Sequence, residues 1–123
     1  MDKDYKFWLQ YVRFLEKTML DPQLVRAKYE IRLKQVTGNR FEVLELLLEK
    51  ALFEEEQNQI LKARKIHENL QTDIAPDCLK TLMAFINFEK RQNNTEKAKE
   101  LYFKAYSTAL ELQETEIVAY VVV

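Results

Sequence analysis

The chain is 123 residues long, with 47% apolar and 32% charged residues and a formal net charge of -1. This composition excludes a disordered chain, and no apolar run approaches the roughly 20 residues that a membrane-spanning helix needs. Nineteen Lys and Arg residues are interleaved with twenty Asp and Glu residues, so the chain has no overall basic field that would attract nucleic acid. The charged start MDKDYKFW lacks the layout of a signal peptide, and we expect a soluble, intracellular protein with no membrane partner.

The residue types favour helices throughout. One Gly and two Pro are too few for the many tight turns of a strand-rich fold. Leu, Glu, Lys, Ala and Gln, which are good helix formers, dominate instead. The sequence therefore predicts an all-α fold of about seven helices, at residues 5–18, 22–37, 40–57, 59–71, 76–92, 95–112 and 115–123.

Helix start and stop signals lie between these segments: a capping Asp or Asn, a Pro in the first turn, or a Gly or Asn in a connection. They are Asp21-Pro22, Gly38-Asn39, Asn58, Pro76-Asp77 and Asn93-Asn94. Pro76 is expected to open the fifth helix.

One phrase occurs twice, 35 residues apart: FEEEQNQILKARKI begins at Phe53, and FEKRQNNTEKAKEL begins at Phe88. Each copy contains the turn of a helical hairpin, and such a hairpin cannot bury its apolar face alone. Stacked hairpins share one continuous core, so the repeat predicts an α-solenoid of antiparallel helical hairpins. We expect a single array over residues 1–123, with repeats at about 5–37, 40–71 and 76–112 and a truncated fourth repeat from 115.

The two helices of each hairpin have different patterns. First helices carry an apolar stripe at i, i+3 and i+6 and then an acidic residue. Two copies are imperfect: the stripe that ends at Phe53 has the polar Lys50 in its middle, and after Phe14 the acid comes one position late, at Glu16. Second helices carry a small residue, a basic residue and then an aromatic residue. The repeat positions are Trp8, Tyr11, Phe14, Phe53, Glu54, Phe85, Phe88 and Glu89 in first helices, and Arg26, Tyr29, Ala63, Arg64, Ala98 and Tyr102 in second helices.

The stripes are expected to face the core. Glu54 and Glu89 are expected to pair with Arg64 and Lys99 on the helix that follows each of them.

These patterns resemble HAT (half-a-tetratricopeptide) repeats, which combine W-x-x-Y-x-x-F with A-R-x-I-Y-E-R-A-L. No Gly occurs in the first helices, where ordinary tetratricopeptide repeats have one. HAT arrays are scaffolds of RNA processing, and the repeated phrases look most like the C-terminal array of the pre-mRNA-processing factor 39 family.

The resemblance implies a nuclear, non-catalytic scaffold that binds proteins, in a splicing factor associated with the small nuclear ribonucleoprotein that recognises the 5′ splice site. It also implies a dimer, formed with a second copy or with a related HAT protein. A HAT scaffold of another RNA-processing complex, for mRNA 3′-end cleavage or ribosomal-RNA processing, stays open as an alternative.

Few residues suit catalysis or metal binding. His67, Cys78 and Ser107 are each the single residue of their type, which disfavours a zinc site and a Ser-His-acid triad and excludes an internal disulfide. His67 occupies the aromatic position of the second-helix pattern, where a packing role is expected. We expect no enzyme activity, no cofactor and no metal.

Two surfaces remain as candidates for binding. Direct RNA binding is the weaker hypothesis: basic residues lie near aromatic ones, but aromatics at helical spacing usually lie in the core, and Glu96 and Glu100 dilute the charge. The residues concerned are Lys62, Arg64, Lys65, Lys90, Arg91, Lys97, Lys99, Tyr102, Phe103 and Tyr106. The apolar end AYVVV predicts either a truncated array or a native association surface, made of Tyr120, Val121, Val122 and Val123.

Overall fold

The computed structural model describes the backbone of residues 2–18 and 21–122 and the side chains of residues 6–18 and 21–113. Helices hold 86% of the residues, and the described ranges contain no strand. The helices are α1 (Asp2–Thr18), α2 (Pro22–Gln35), α3 (Arg40–Glu56), α4 (Ile60–Asn69), α5 (Leu79–Arg91) and α6 (Thr95–Val122). A π-helical turn, Leu70–Ile74, follows α4 directly. The predicted all-α fold is confirmed, and no helix within the described part is long and apolar enough to cross a membrane.

The predicted caps of α2 and α3 are confirmed. Asp21 Oδ1 accepts the backbone N–H of Gln23 at 3.0 Å, and Pro22 occupies the first helical position. Asn39 Oδ1 accepts the backbone N–H of Glu42 at 3.3 Å. Each cap satisfies one of the amides that a helix start leaves without an internal partner.

The turns after α3 and α5 have the same backbone geometry. Asn58 and Asn93 both adopt a left-handed conformation with φ 60°. In each turn the residue after the Asn donates its N–H to the carbonyl four residues before the Asn, at 2.8 Å to Glu54 and 2.9 Å to Glu89. This is a Schellman motif, which usually has Gly at the left-handed position and tolerates Asn there. The repeated phrase therefore encodes a specific helix stop.

Two predicted helix boundaries are wrong. The fifth helix begins at Leu79, because Pro76 and Asp77 lie in the turn that follows the π-helical segment, and the hydroxyl of Thr81 donates to the carbonyl of Cys78 at 2.9 Å. No separate helix begins near residue 115, since α6 continues to Val122. Residues 95–122 include no Gly, Pro or Asn that would end the helix. The division into repeats stays a prediction.

The chain divides into two compact units, Met1–Ala63 and Arg64–Val123. In the first unit, α1, α2 and α3 surround a core of Val12, Leu15, Val25, Tyr29, Val36, Leu46 and Phe53. In the second unit, α5 is the most buried helix, and it packs against the apolar side of α6. The buried residues of these two helices are Thr81, Leu82, Phe85, Ile86, Phe88, Glu89, Ala98, Leu101, Ala105 and Thr108.

The predicted core stripe is confirmed on α5 and wrong on α1. Phe85 and Phe88 are fully buried, as expected. On α1 the core side is formed by buried Val12 and Leu15, with Trp8 packed at the edge, whereas Tyr11 is 51% and Phe14 61% exposed. Since each residue turns a helix by about 100°, the buried side is rotated by roughly 70° from the expected one.

Candidate functional site

An Arg–Glu pair joins α2 to α3, and an equivalent pair joins α4 to α5. In the first unit, Arg26 of α2 donates from Nη2 to Glu54 Oε1 at 2.8 Å and from Nε to both carboxylate oxygens at 2.9 and 3.1 Å. In the second unit, Arg64 of α4 donates to Glu89 of α5, from Nη2 to Oε1 at 2.8 Å and from Nε to Oε2 at 3.0 Å. Forked bonds of this kind are the strong and geometrically specific form of an ion pair.

The residue before each Glu completes the arrangement. The guanidinium of Arg26 lies 5.7 Å from the centre of the Phe53 ring, and that of Arg64 lies 5.4 Å from the centre of the Phe88 ring. The hydrogen bond to its carboxylate raises the pKa of each arginine above its usual value. We call the two arrangements repeat junctions: Arg26, Phe53 and Glu54 form the first, and Arg64, Phe88 and Glu89 the second.

The pairing direction is the reverse of the prediction. Glu54 and Glu89 were expected to pair with the helix that follows, through Arg64 and Lys99, but both bind an arginine of the preceding helix. The physical reason is that each carboxylate faces the helix that precedes its own. The spacing of residues in the sequence places the carboxylate on its helix but does not define which neighbouring helix it faces. The pairs therefore hold α2 on α3 and α4 on α5.

The aromatic residue three positions after Arg26 fills the space between helices. The Tyr29 ring lies 5.5 Å from Trp8 of α1 and 6.0 Å from Phe53 of α3, measured between ring centres. Its hydroxyl donates to Glu16 Oε1 at 3.0 Å. Burial raises the pKa of Tyr29, and the charge of Glu16 adds to the effect. Tyr29 of α2 therefore contacts both α1 and α3.

His67 occupies the equivalent position after Arg64. It is buried, and its ring stacks on Phe85 and Phe88 of α5 at 5.4 and 5.0 Å between ring centres. The packing role expected of the single histidine agrees with these contacts.

The third copy of the second-helix pattern lies on α6 and differs from the other two. Ala98 is buried, but Lys99 and Tyr102, which correspond to Arg26 and Tyr29, are exposed. Phe103 is 74% exposed and Tyr106 is 65% exposed. Aromatic residues at helical spacing were expected to lie in the core, and these two do not. We define the α6 face as Lys99, Tyr102, Phe103, Tyr106 and Leu110.

A second exposed apolar surface lies on α1. Phe7, Tyr11 and Phe14 are spaced i, i+4 and i+7, and all three are exposed. Lys28 of α2 lies 6.0 Å from the Tyr11 ring centre. We define the α1 face as Phe7, Tyr11 and Phe14. The sequence pattern identified Tyr11 and Phe14 but predicted that they face the core.

A cleft of about 320 Å³ separates α1 from α3. Arg13 Nη2 reaches across to Glu49 Oε1 at 2.7 Å, and burial raises the pKa of Glu16 in the cleft wall. The lining residues are Arg13, Glu16, Lys17, Glu49, Leu52, Phe53 and Glu56. Within the described residues, no group of three or more His, Cys, Asp or Glu side chains is placed to hold a metal ion.

The predicted repeat residues thus fall into three groups. Tyr29, Phe53, Glu54, Ala63, Phe85, Phe88, Glu89 and Ala98 are buried, Trp8, Arg26 and Arg64 are half-buried, and Tyr11, Phe14 and Tyr102 are exposed. The predicted association surface at Tyr120–Val123 lies outside the described side chains.

The same Arg–Glu pairing recurs between α2 and α3 and between α4 and α5, and in an all-helical chain this recurrence fits a repeat protein of the α-solenoid class, as the HAT pattern predicts. The family profile described as PRP39 C-terminal HAT repeat matches residues 2–91, which is most of the chain. The chain belongs to this family. The match ends at the last residue of α5, so α6 lies beyond it. No curated protein and no solved structure matches the chain significantly.

Proposed function

We propose that the chain is a scaffold segment of a nuclear pre-mRNA splicing factor, associated with the small nuclear ribonucleoprotein that recognises the 5′ splice site. The observation that carries this proposal is membership of the PRP39 C-terminal HAT family over residues 2–91. HAT scaffolds are generally non-catalytic, and the proposed activity is to hold protein partners in a ribonucleoprotein.

The repeat junctions give the scaffold its physical basis. Glu54 and Glu89 are buried and each is held by two or more hydrogen bonds, so α2 has one favoured register on α3, and α4 has one on α5. A fixed register presents surface side chains in fixed positions, which lowers the entropy lost when a partner binds. The exposed aromatic residues of the α1 and α6 faces are suitable anchors, since a few large aromatic side chains usually supply most of the affinity of an interface.

The decisive experiment is affinity purification of the tagged chain from nuclear extract, followed by sequencing of the RNA that copurifies. We expect the small nuclear RNA of the particle that binds 5′ splice sites. Recovery of 3′-end cleavage factors or of ribosomal-RNA precursors instead would support the alternative HAT scaffolds and refute the splicing assignment. A matched control is the same chain with Arg64→Met, which disrupts the second junction and is expected to reduce recovery.

Direct RNA binding is a second candidate, because Tyr102, Phe103 and Tyr106 are exposed and aromatic rings can stack on bases, although Lys90 Nζ lies 3.4 Å from the Tyr102 hydroxyl. Against it, the exposed Glu96 and Glu100 lie on the same helix, and Lys97 Nζ is 3.7 Å from Glu100 Oε2. The test is titration of a single-stranded RNA oligonucleotide at low and moderate salt. Binding that weakens steeply with salt and disappears in Phe103→Ala would support it.

Dimerisation, with a second copy or a related HAT protein, is also proposed. The predicted surface at Tyr120–Val123 stays a prediction. Sedimentation of Tyr120→Glu and Val122→Glu variants tests it, since an unchanged mass in both would show that this surface is not used.

A further inference from the structure

The cleft between α1 and α3 has the size of a small binding site. Its volume is about 320 Å³. Ligand pockets usually measure about 300–1,000 Å³, so the cleft suits one long side chain rather than a whole folded element. Both walls belong to the unit Met1–Ala63, so the described chain by itself forms both sides.

One stripe of each helix forms a wall of the cleft. Residues at i, i+3, i+4 and i+7 lie on one side of a helix, and the lining follows this spacing on both helices. The α1 wall consists of Arg13, Glu16 and Lys17, and the α3 wall of Glu49, Leu52, Phe53 and Glu56. Each wall therefore presents carboxylate groups to the same space.

The lining has more carboxylates than cations. Glu16, Glu49 and Glu56 are balanced only by Arg13 and Lys17. Arg13 is already bound to Glu49, at 2.7 Å from Nη2 to Oε1. Burial, and after it the charges of Glu56 and Glu49, raise the pKa of Glu16, so the carboxylates act on one another across the cleft. A further cation between the walls would relieve this repulsion.

The two carboxylates outside the Arg13 pair have capacity for more hydrogen bonds. Glu16 Oε1 accepts the Tyr29 hydroxyl at 3.0 Å, and a carboxylate has about four acceptor sites. Glu56 is exposed on the opposite wall. Leu52, which is 44% exposed, supplies apolar surface in the same stripe of α3 as Glu56. The cleft thus combines two acceptors with an apolar contact for a hydrocarbon stem.

We propose that this cleft binds an arginine side chain of a partner protein, with the guanidinium between Glu16 and Glu56 and the methylene stem on Leu52. Arginine fits better than lysine because its planar group directs donors to both walls and is less strongly hydrated than an ammonium. Arg13, which crosses the cleft to Glu49, makes the same kind of bridge within the chain. The inference rests on the proposed scaffold function, since it names a feature by which that scaffold recognises a protein.

Capped pentapeptides test the chemistry of the ligand. The isotope-labelled chain is titrated with acetyl-Gly-Gly-Arg-Gly-Gly-amide and followed by the NMR shifts of its backbone amides. We expect saturable shifts at Glu16, Leu52 and Glu56. The peptide with lysine at the centre is expected to bind several-fold more weakly, and the peptide with citrulline, which has nearly the shape of arginine but no charge, is expected not to saturate.

Variants of the chain test the place of binding. Glu56→Gln removes an exposed carboxylate and is expected to weaken binding of the arginine peptide about two- to fivefold. Glu30→Gln is the matched control, because Glu30 is exposed on α2 outside the cleft lining and its loss changes the net charge equally. Arg13→Met is expected to strengthen binding, since it leaves Glu49 available to the cation of the peptide.

Three results would overturn the inference. The first is equal binding of the citrulline or lysine peptide. The second is a Glu30→Gln variant that loses as much affinity as Glu56→Gln, since the effect would then come from net charge. The third is a shift of the cleft amides that depends on the concentration of the chain without any peptide, since another copy would then fill the cleft.

The scaffold function is judged separately, by purification of the unmodified chain from nuclear extract. Recovery of the small nuclear RNA of the expected particle, together with no peptide binding, would reject the arginine site and leave the scaffold function standing. Peptide binding at the cleft without that RNA would do the reverse.

Discussion

Arg64→Met is predicted to destabilise the fold far more than the loss of an ordinary surface ion pair. The Glu89 side chain is 1% exposed and its arginine 26% exposed, so the substitution leaves a buried carboxylate without its cation. Breaking a buried pair from one side typically costs about 3–5 kcal/mol. Because water reaches part of Arg64, we take the lower end, about 3 kcal/mol. For a domain of this size that lowers the melting temperature by about 12 °C, at roughly 4 °C per kcal/mol.

Arg13→Met is the matched control. Its bond to Glu49 is as short, at 2.7 Å, but the two side chains are 52% and 23% exposed. Exposed pairs contribute at most about 1 kcal/mol, so this variant should lose at most about a third as much stability. Urea denaturation followed by far-UV circular dichroism measures both. Equal losses in Arg13→Met and Arg64→Met would refute the argument from burial.

The double variant Arg64→Met with Glu89→Met separates lost charge from lost contact. Replacing both partners by apolar residues removes the buried charge. As for other buried pairs, we expect the stability of the double variant to lie within about 1 kcal/mol of that of the unmodified chain. A coupling energy of at least about 2 kcal/mol in the double-mutant cycle is the expected result. A double variant as unstable as Arg64→Met would show that shape, rather than the unpaired carboxylate, causes the loss.

Three further predictions concern the same elements. Arg26→Lys keeps the charge but not the forked bond to Glu54, so we expect a loss of about 1–2 kcal/mol in urea denaturation, and no loss would mean that the fork contributes little. Asn93→Gly is expected to keep or slightly raise the melting temperature, and Asn93→Val is expected to lower it. The reason is that the left-handed backbone conformation costs a residue with a side chain about 1–2 kcal/mol. Equal melting temperatures of the two variants would contradict this. Burial raises the pKa of Glu16, so the folded chain holds that proton more tightly than the unfolded chain, and stability present at acidic pH is lost as the pH rises through the folded pKa. Relative to Glu16→Gln, which keeps an acceptor for Tyr29, the unmodified chain should therefore lose stability in urea denaturation as the pH rises above the ordinary pKa of a glutamate, and parallel pH profiles would exclude the effect.

Local sequence signals predicted the elements and several of their ends. The caps at Asp21 and Asn39 and the turns at Asn58 and Asn93 depend on contacts within a few residues, so the sequence contains all the information they need. The Pro76 boundary was wrong because a π-helical turn at Leu70–Ile74, which the sequence signals did not indicate, precedes it and Pro76 lies in the turn that follows.

The sequence identified the residues of the repeat junctions but not which of them bind each other. Arg64 and Glu89 were both identified, yet their pairing with each other depends on which neighbouring hairpin each side chain faces. The Arg13–Glu49 pair had no signal at all, because its members lie 36 positions apart, on α1 and α3, with the whole of α2 between them. Long-range pairs of this kind come from the stacking of hairpins.

The sequence by itself determined the class of this protein: helical hairpins in a repeated pattern, with Arg, Phe and Glu at fixed places and a left-handed Asn in two turns. Helix periodicity, however, fixes only the relative angles of side chains around each axis, and not which angle points inward. The tertiary structure decided that Val12 and Leu15, rather than Tyr11 and Phe14, face the core, and that each carboxylate binds the hairpin before it. The physical reason is that burial is a property of two packed surfaces, and a single helix does not define its partner.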